Sequence, residues 1–417
     1  MDSLVVIYSL AVAFGFYMAW NIGANDVANA MGTSVGSRSL TLRQVIIVAA
    51  IFEFLGAVLV GSSVTQTIQR GIVDINFFAD SPEIFVYGML AALLGAALWL
   101  QMATIVGWPV STTHSIIGAV IGFGLIAGGP DVIQWNRIGQ IVASWFVSPI
   151  AGLLISLVMF MFIQRTVFAS ESPVRQAKRV TPYLTFLVVV ILCLSFTYKG
   201  LNNLGLYLTF VQAMVIAALL GLAAALFARN LVNKIPDDTL NRKGFGVKFT
   251  IVEKIFSYLQ ILTACYVAFA HGANDVANAI GPLAAIVTTV QTGILQTQVA
   301  VPFWVLVLGG SGIVLGVATM GYKVIETIGT KITLLTPSRG FAATFGAATT
   351  VLICSKMGLP ISTTHTLVGS VIGVGLAGGI GSINMNVLKG IFLSWFITLP
   401  AAGLMSIVVF KVLTAIL

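Results

Sequence analysis

Charge is scarce in this sequence. Lysine, arginine, aspartate and glutamate make up 8% of its 417 residues, whereas soluble domains carry about 25%. A chain so poor in ionic side chains cannot cover a water-facing surface, which excludes an ordinary soluble domain. Cysteine is scarce too. Cys193, Cys265 and Cys354 all lie in apolar runs and do not pair in number, which argues for small buried hydrophobes and against disulfides or a thiolate metal site. No H-E-x-x-H zinc motif occurs and no nucleophile stands in a recognisable hydrolase setting, so the chain does not read as an enzyme. The period-two alternation of a membrane β-barrel is absent as well.

Apolar residues fill the space that charge leaves. Hydrophobic residues make up 58% of the chain, and its mean hydropathy is +1.03. Residues 84–107 and 138–163 contain no charge at all, and each run exceeds the ~20 residues that cross a bilayer core as a helix. About twelve such candidates can be counted, several of them short or broken. The fold class expected is therefore an all-α polytopic membrane protein in a lipid bilayer. The first apolar run, residues 4–22, follows only Asp2, with no basic region before it and no small-residue cleavage site after it. It reads as a membrane helix and not as a signal peptide.

The net charge of +8 would suggest nucleic acid in a soluble protein; here it reads as topology, because Lys and Arg collect in cytoplasmic loops. Two stretches are basic, 164–182 and 229–254, and the apolar segments 183–198 and 206–227 separate them. Both stretches are expected as loops on one side, the cytoplasm, with the protein in the plasma (cell inner) membrane and no nucleic-acid partner.

The chain repeats itself. Gly-Ala-Asn-Asp-Val-Ala-Asn-Ala at 23–30 recurs unchanged at 272–279. Pro-Val-Ser-Thr-Thr-His at 109–114 recurs as Pro-Ile-Ser-Thr-Thr-His at 360–365, and Ser-Trp-Phe at 144–146 recurs at 394–396. The offsets are 249, 251 and 250 residues, so the halves 1–163 and 255–417 are homologous, joined by a two-span connector at 164–254. Loop charges set their senses. Arg38 and Arg43 follow the first motif, with Arg70 against Asp74, Asp80 and Glu83 in the next loop. In the second half 287–300 is uncharged, and Lys323, Lys331 and Arg339 stand against Glu326 in the next loop. The positive-inside rule then gives two inverted-topology repeats, each with an odd number of crossings and both chain termini outside. Inverted repeats characterise secondary transporters, whose sites lie at the repeat interface.

On a helical wheel Asn21, Asn25 and Asn29 share a face with Asp26 at its edge, beside a strip of small residues at Ala24, Ala28 and Gly32. An aspartate in an apolar setting costs roughly 2.5–3.5 kcal/mol on insertion scales, and neither motif holds a Lys or Arg to offset it. Carboxylate and amide oxygens are hard ligands suited to Na⁺, Mg²⁺ or Ca²⁺. In the second motif, Pro109 breaks an arriving helix and Ser111 is a favoured N-cap for the glycine-dotted stretch that follows. A broken helix or re-entrant hairpin is expected, with hydroxyls and backbone N–H groups at its tip. Such a tip is an anion site. The histidines number three: His114, His271 and His365. His114 and His365 belong to the tips and are candidates for coupling, anion contact or packing. Glu53, an intramembrane acid without an acidic counterpart in the second half, is a further pathway candidate.

These paired motifs resemble the inorganic phosphate transporter (PiT) family over both halves. The resemblance implies cation-coupled symport of phosphate, an inverted-repeat fold with hairpins, and often a homodimer. It implies phosphate contacts at Asn25, Ser111, Thr112, Thr113, Asn274, Ser362, Thr363 and Thr364, and Na⁺ contacts at Asp26, Asn29, Asp275 and Asn278. Na⁺ is the expected coupling ion, no other cofactor being implied. Proton coupling, or sulfate as the anion, is the alternative. The short connector omits the large cytoplasmic domain of animal relatives, so regulation through one is not expected.

Overall fold

The charge-poor runs are helical throughout the computed structural model, which describes residues 3–61, 72–199, 208–235, 245–295, 301–325, 334–379 and 383–417. The first half holds α1 (Ser3–Gly36), α2 (Leu42–Val60), α3 (Pro82–Ile105), α4 (Thr112–Gly128) and α5 (Trp135–Ile163). The connector holds α6 (Pro173–Lys199) and α7 (Phe210–Asn233). The second half holds α8 (Phe245–Asp275), α9 (Ala277–Thr292), α10 (Phe303–Met320), α11 (Pro337–Lys356), α12 (Thr363–Ala377) and α13 (Met385–Ile416). Among the described residues nine helical stretches are long and apolar enough to cross a membrane, with 249–292 counted once, and α4 and α12 are shorter apolar helices. Val73 and Ile133 form an isolated β-bridge.

Two boundaries differ from the expected ones. The basic stretch 164–182 is helical over most of its length: a π-helical turn at Gln164–Phe168 extends α5, and α6 begins at Pro173 and carries Pro182 within it. Arg, Lys and Gln are good helix formers, so helices reach past the apolar zone without the chain changing conformation. In 229–254, α7 continues to Asn233 and α8 starts at Phe245. Arg70, Asp237, Asp238, Glu326 and Lys331 lie outside the described residues.

The hairpin breaks repeat in atomic detail. Just past the ends of α3 and α11 stand Gly107 (φ 71°) and Gly358 (φ 69°), where the left-handed conformation favours glycine. Trp108 N donates to the Ala103 carbonyl, and Leu359 N to that of Cys354. After each break the chain packs back along the helix it has left, α4 on α3 and α12 on α11.

The halves exchange partners reciprocally. α1 packs on α10 of the other half as α8 packs on α2; α4 packs on α13 as α12 packs on α5. Small residues make the first pair of crossings tight. A β-carbon at Gly23 would overlap the Ile313 carbonyl, and one at Gly316 that of Trp20; equivalent overlaps join Gly272 to Glu53 and Gly56 to Phe269. Overpacking such a contact costs about 1–3 kcal/mol. Gly316→Ala should therefore lower the melting temperature of the purified protein in detergent, whereas an unchanged melting curve would remove the close crossing.

Candidate functional site

The central stretch of α1 is fully buried, including Asn21, Asn25, Asp26 and Asn29, and so are Asn274, Asp275 and Asn278 in the second half. The two copies of the motif differ in backbone. In α1 it is regular helix; in the second half the helical ladder is interrupted at Val276, between α8 and α9, while the backbone there stays helical (φ −55°, ψ −32°).

Each tip begins with its serine as N-cap. Ser111 Oγ accepts from His114 N at 3.2 Å, and Ser362 Oγ from His365 N at 3.1 Å. Ser115 N and Thr366 N donate to the carbonyls of the same serines. The N–H groups of Thr112, Thr113, Thr363 and Thr364, at the two helix starts, have no acceptor among the described residues. Initial helical N–H groups lack intrahelical partners, and the helix dipole makes them favourable to an anion.

The acids are bonded directly to these tips. Thr112 Oγ1 donates to Asp26 Oδ2 at 2.7 Å, and Thr363 Oγ1 to Asp275 Oδ2 at 2.8 Å. The distal asparagines reach across to the opposite tip: Asn29 Nδ2 donates to Thr364 Oγ1 at 2.7 Å, and Asn278 Nδ2 to Thr112 Oγ1 at 3.2 Å and Thr113 Oγ1 at 3.3 Å. Thr113 Oγ1 then donates to the Ile361 carbonyl and Thr364 Oγ1 to that of Val110, which ties the tips together. Both halves are needed to make one site. Asn25 and Asn274 fasten the breaks. Asn25 Nδ2 donates to Thr104 Oγ1 and the Trp108 carbonyl, while its Oδ1 accepts from Val110 N. Asn274 Oδ1 accepts from Ser355 Oγ, and its Nδ2 donates to Asp275 Oδ1. Thr104 and Ser355 escaped the sequence reading, because a lone hydroxyl in an apolar helix carries no signal of its partner.

His271 escaped it as well. Its Nε2 lies 2.8 Å from Asp275 Oδ2 and 3.8 Å from Asp26 Oδ2, and its Nδ1 lies 3.3 Å from Glu53 Oε1. Asp26, His271 and Asp275 each bring one ligand atom within 4.8 Å of the others. Among the described residues this imidazole is the one basic group paired with the buried carboxylates. Among the described residues Asn29 Oδ1 and Glu53 Oε2 have no hydrogen-bond partner, and Glu53 Oε1 has only His271 Nδ1 beside it. Buried oxygens of this kind suit a hard cation. One signal did exist: His271 precedes the second motif and stands one helical turn before Asp275. The repeat also shows that this pair is one-sided. By the contacts of Gly23 and Gly272, Ile313 occupies in the second half the place of Glu53, and the 249-residue offset puts Ile22 in the place of His271.

His114 and His365 stand behind the tips and not with the aspartates. Their rings lie 3.6 Å from Trp145 and 3.5 Å from Trp395, and 4.4 Å from each other. They line an almost wholly apolar cavity of about 490 Å³ with Phe146 and Phe396 at its exposed rim.

A model of the phosphate transporter family matches residues 22–406. A putative phosphate permease of Haemophilus influenzae is 47% identical, the alignment covering 98% of this chain and 96% of that one. Inorganic phosphate transporter 2-1, chloroplastic, of Arabidopsis thaliana is 43% identical over 97% of this chain and 72% of its own length. A solved structure described as the sodium-dependent phosphate transporter superposes with a TM-score of 0.91 at 44% identity, covering 99% of this chain and 100% of that one.

Proposed function

Because the chain belongs to the phosphate transporter family, we propose that it is a sodium-coupled symporter of inorganic phosphate, working by alternating access at the interface of its two inverted repeats. One observation carries this reading: two buried aspartates, one from each half, are hydrogen-bonded to two anion-favouring helix starts. An oxyanion entering alone would meet Asp26 and Asp275 at close range, and like charges repel strongly where water is excluded. A cation held by oxygens of Asp26, Asn29, Asp275 and Asn278 removes that repulsion. It also competes for the carboxylate oxygens that Thr112 and Thr363 now contact, so cation occupancy and the setting of the tip hydroxyls are linked. The phosphate would take the N–H groups of Thr112, Thr113, Thr363 and Thr364 together with hydroxyls of residues 111–113 and 362–364, once those of Thr112 and Thr363 leave Asp26 and Asp275. Asn25 and Asn274 would hold the breaks in register beside it.

The electrical cost points the same way. Each negative charge entering against an interior-negative potential costs ~2.3 kcal/mol per 100 mV, so accumulation of phosphate calls for cations that move with it. The same reading includes a homodimer in the plasma membrane, with both chain termini outside and the basic flanks cytoplasmic. His271, seated between the two aspartates, favours proton coupling as the second reading. Uptake of labelled phosphate into proteoliposomes separates the two. An inward Na⁺ gradient should drive concentrative uptake that excess sulfate does not inhibit; accumulation driven by a pH gradient in Na⁺-free buffer would replace sodium with the proton.

A further inference from the structure

The connector carries a cleft that belongs to neither repeat. α6 and α7 pack along each other, and a cavity of about 880 Å³ opens between them. At one end it is lined by Arg175, Lys178 and Arg179 from the first turns of α6 and by Arg229 from the last turns of α7. Arg175, Arg179 and Arg229 are exposed and have no acidic partner among the described residues. Lys178 is held in place, donating to the Ile235 carbonyl at 2.6 Å, and adds its charge to the same end.

Deeper in the cleft the wall changes character. Tyr183 and Phe186 on α6 face Leu222 and Leu226 on α7, and these side chains are exposed, Tyr183 by 72%. From Arg175 to Phe186 the helix rises about 16 Å, which is roughly half of a ~30 Å hydrocarbon core. The cleft thus has a cationic mouth and an apolar floor about one leaflet deep.

We propose that this cleft binds an anionic glycerophospholipid, its phosphate among the arginines and an acyl chain along the apolar wall. Guanidinium groups pair with phosphate oxygens in a bidentate manner, and basic pockets between membrane helices hold anionic head groups. Inorganic phosphate shares the head-group chemistry, but it would leave the apolar wall uncovered. The depth of that wall selects the lipid.

Native mass spectrometry of the full-length protein, equilibrated with equal amounts of phosphatidylglycerol and phosphatidylcholine, tests the assignment. Phosphatidylglycerol should be retained roughly tenfold over phosphatidylcholine, and the combined Arg175→Gln, Arg179→Gln, Arg229→Gln variant should lose that preference. Leu222→Trp, which fills the floor and keeps every charge, should weaken retention of the lipid and serves if the triple variant does not fold. Equal retention of the two lipids, or a preference that survives both variants, overturns the proposal. Displacement by millimolar inorganic phosphate would make this a free-anion site instead. Adducts on the monomer that are missing from a dimer would assign the cleft to a second copy of the chain; either result also overturns it. None of these measurements depends on which ion drives transport.

Discussion

Asp26→Asn and Asp275→Asn should each reduce sodium-driven phosphate uptake roughly 100-fold, the loss expected when about 3 kcal/mol of charge-dependent stabilisation is removed. Asparagine keeps the shape of the side chain, and its amide oxygen can still accept from Thr112 or Thr363. The tips should therefore stay in place while the charge that attracts the cation disappears. The two variants should differ in stability. Asp275 lies 2.8 Å from His271 whereas Asp26 lies 3.8 Å away, so Asp275→Asn should melt at the lower temperature. Uptake and membrane-inserted protein have to be measured on the same preparation. Near-normal transport by either variant would remove the cation role from that half.

His271→Ile should be the most destabilising single change in the site. It leaves Glu53, which has no other polar partner among the described residues, without the basic group 3.3 Å away. Removing one partner of a buried pair typically costs about 3–5 kcal/mol. Replacing both partners by apolar side chains is a different matter, since a buried pair traded for packed hydrophobes is often neutral. The molecule supplies the template for that trade in Ile22 and Ile313. Glu53→Ile with His271→Ile should accordingly recover the part of the loss that falls on Glu53, though not the part that falls on Asp275, which still loses its partner at 2.8 Å. A double-mutant cycle on melting in detergent measures that recovery. If stability is regained but uptake is not, the pair serves transport. If the double variant is no more stable than His271→Ile, the pair is not energetically coupled and the one-sided reading of the cluster is wrong.

Much of the architecture is legible in the chain because it is local. Charge-free runs longer than a bilayer crossing leave the helix as the only economical way to satisfy the backbone, and helices stand at 84–105 and 138–163. The breaks were legible from Pro109 and Pro360 and from the serines beyond them, because a missing N–H and a capping hydroxyl act on their own turn of helix. Helix ends near the basic flanks were misjudged for a similarly local reason. Charge was taken to end a helix, and in 164–182 it ends only the apolar zone.

The chemistry was half legible. Repetition of an eight-residue run marked Asn25, Asp26 and Asn29 with Asn274, Asp275 and Asn278, since polar groups so costly in an apolar setting are not duplicated idly. The run could not show that Asn29 reaches the opposite tip at Thr364, 335 positions away. Nor could it show that His114 and His365 turn from the acids to lie against Trp145 and Trp395.

Composition and repeated motifs alone established a helical membrane protein with two acid-amide motifs and two capped tips. The packed structure decided that the halves exchange partners, so that each aspartate holds its own tip while each distal asparagine crosses to the other. It also decided that one side of this near-symmetric site carries Glu53 and His271 where the other carries isoleucines. The division follows from range. Periodicity, breaking and capping act within a turn or two of backbone, whereas the meeting of Glu53 with His271 depends on how closely α2 and α8 cross, which Gly272 and Gly56 permit only once both helices are packed.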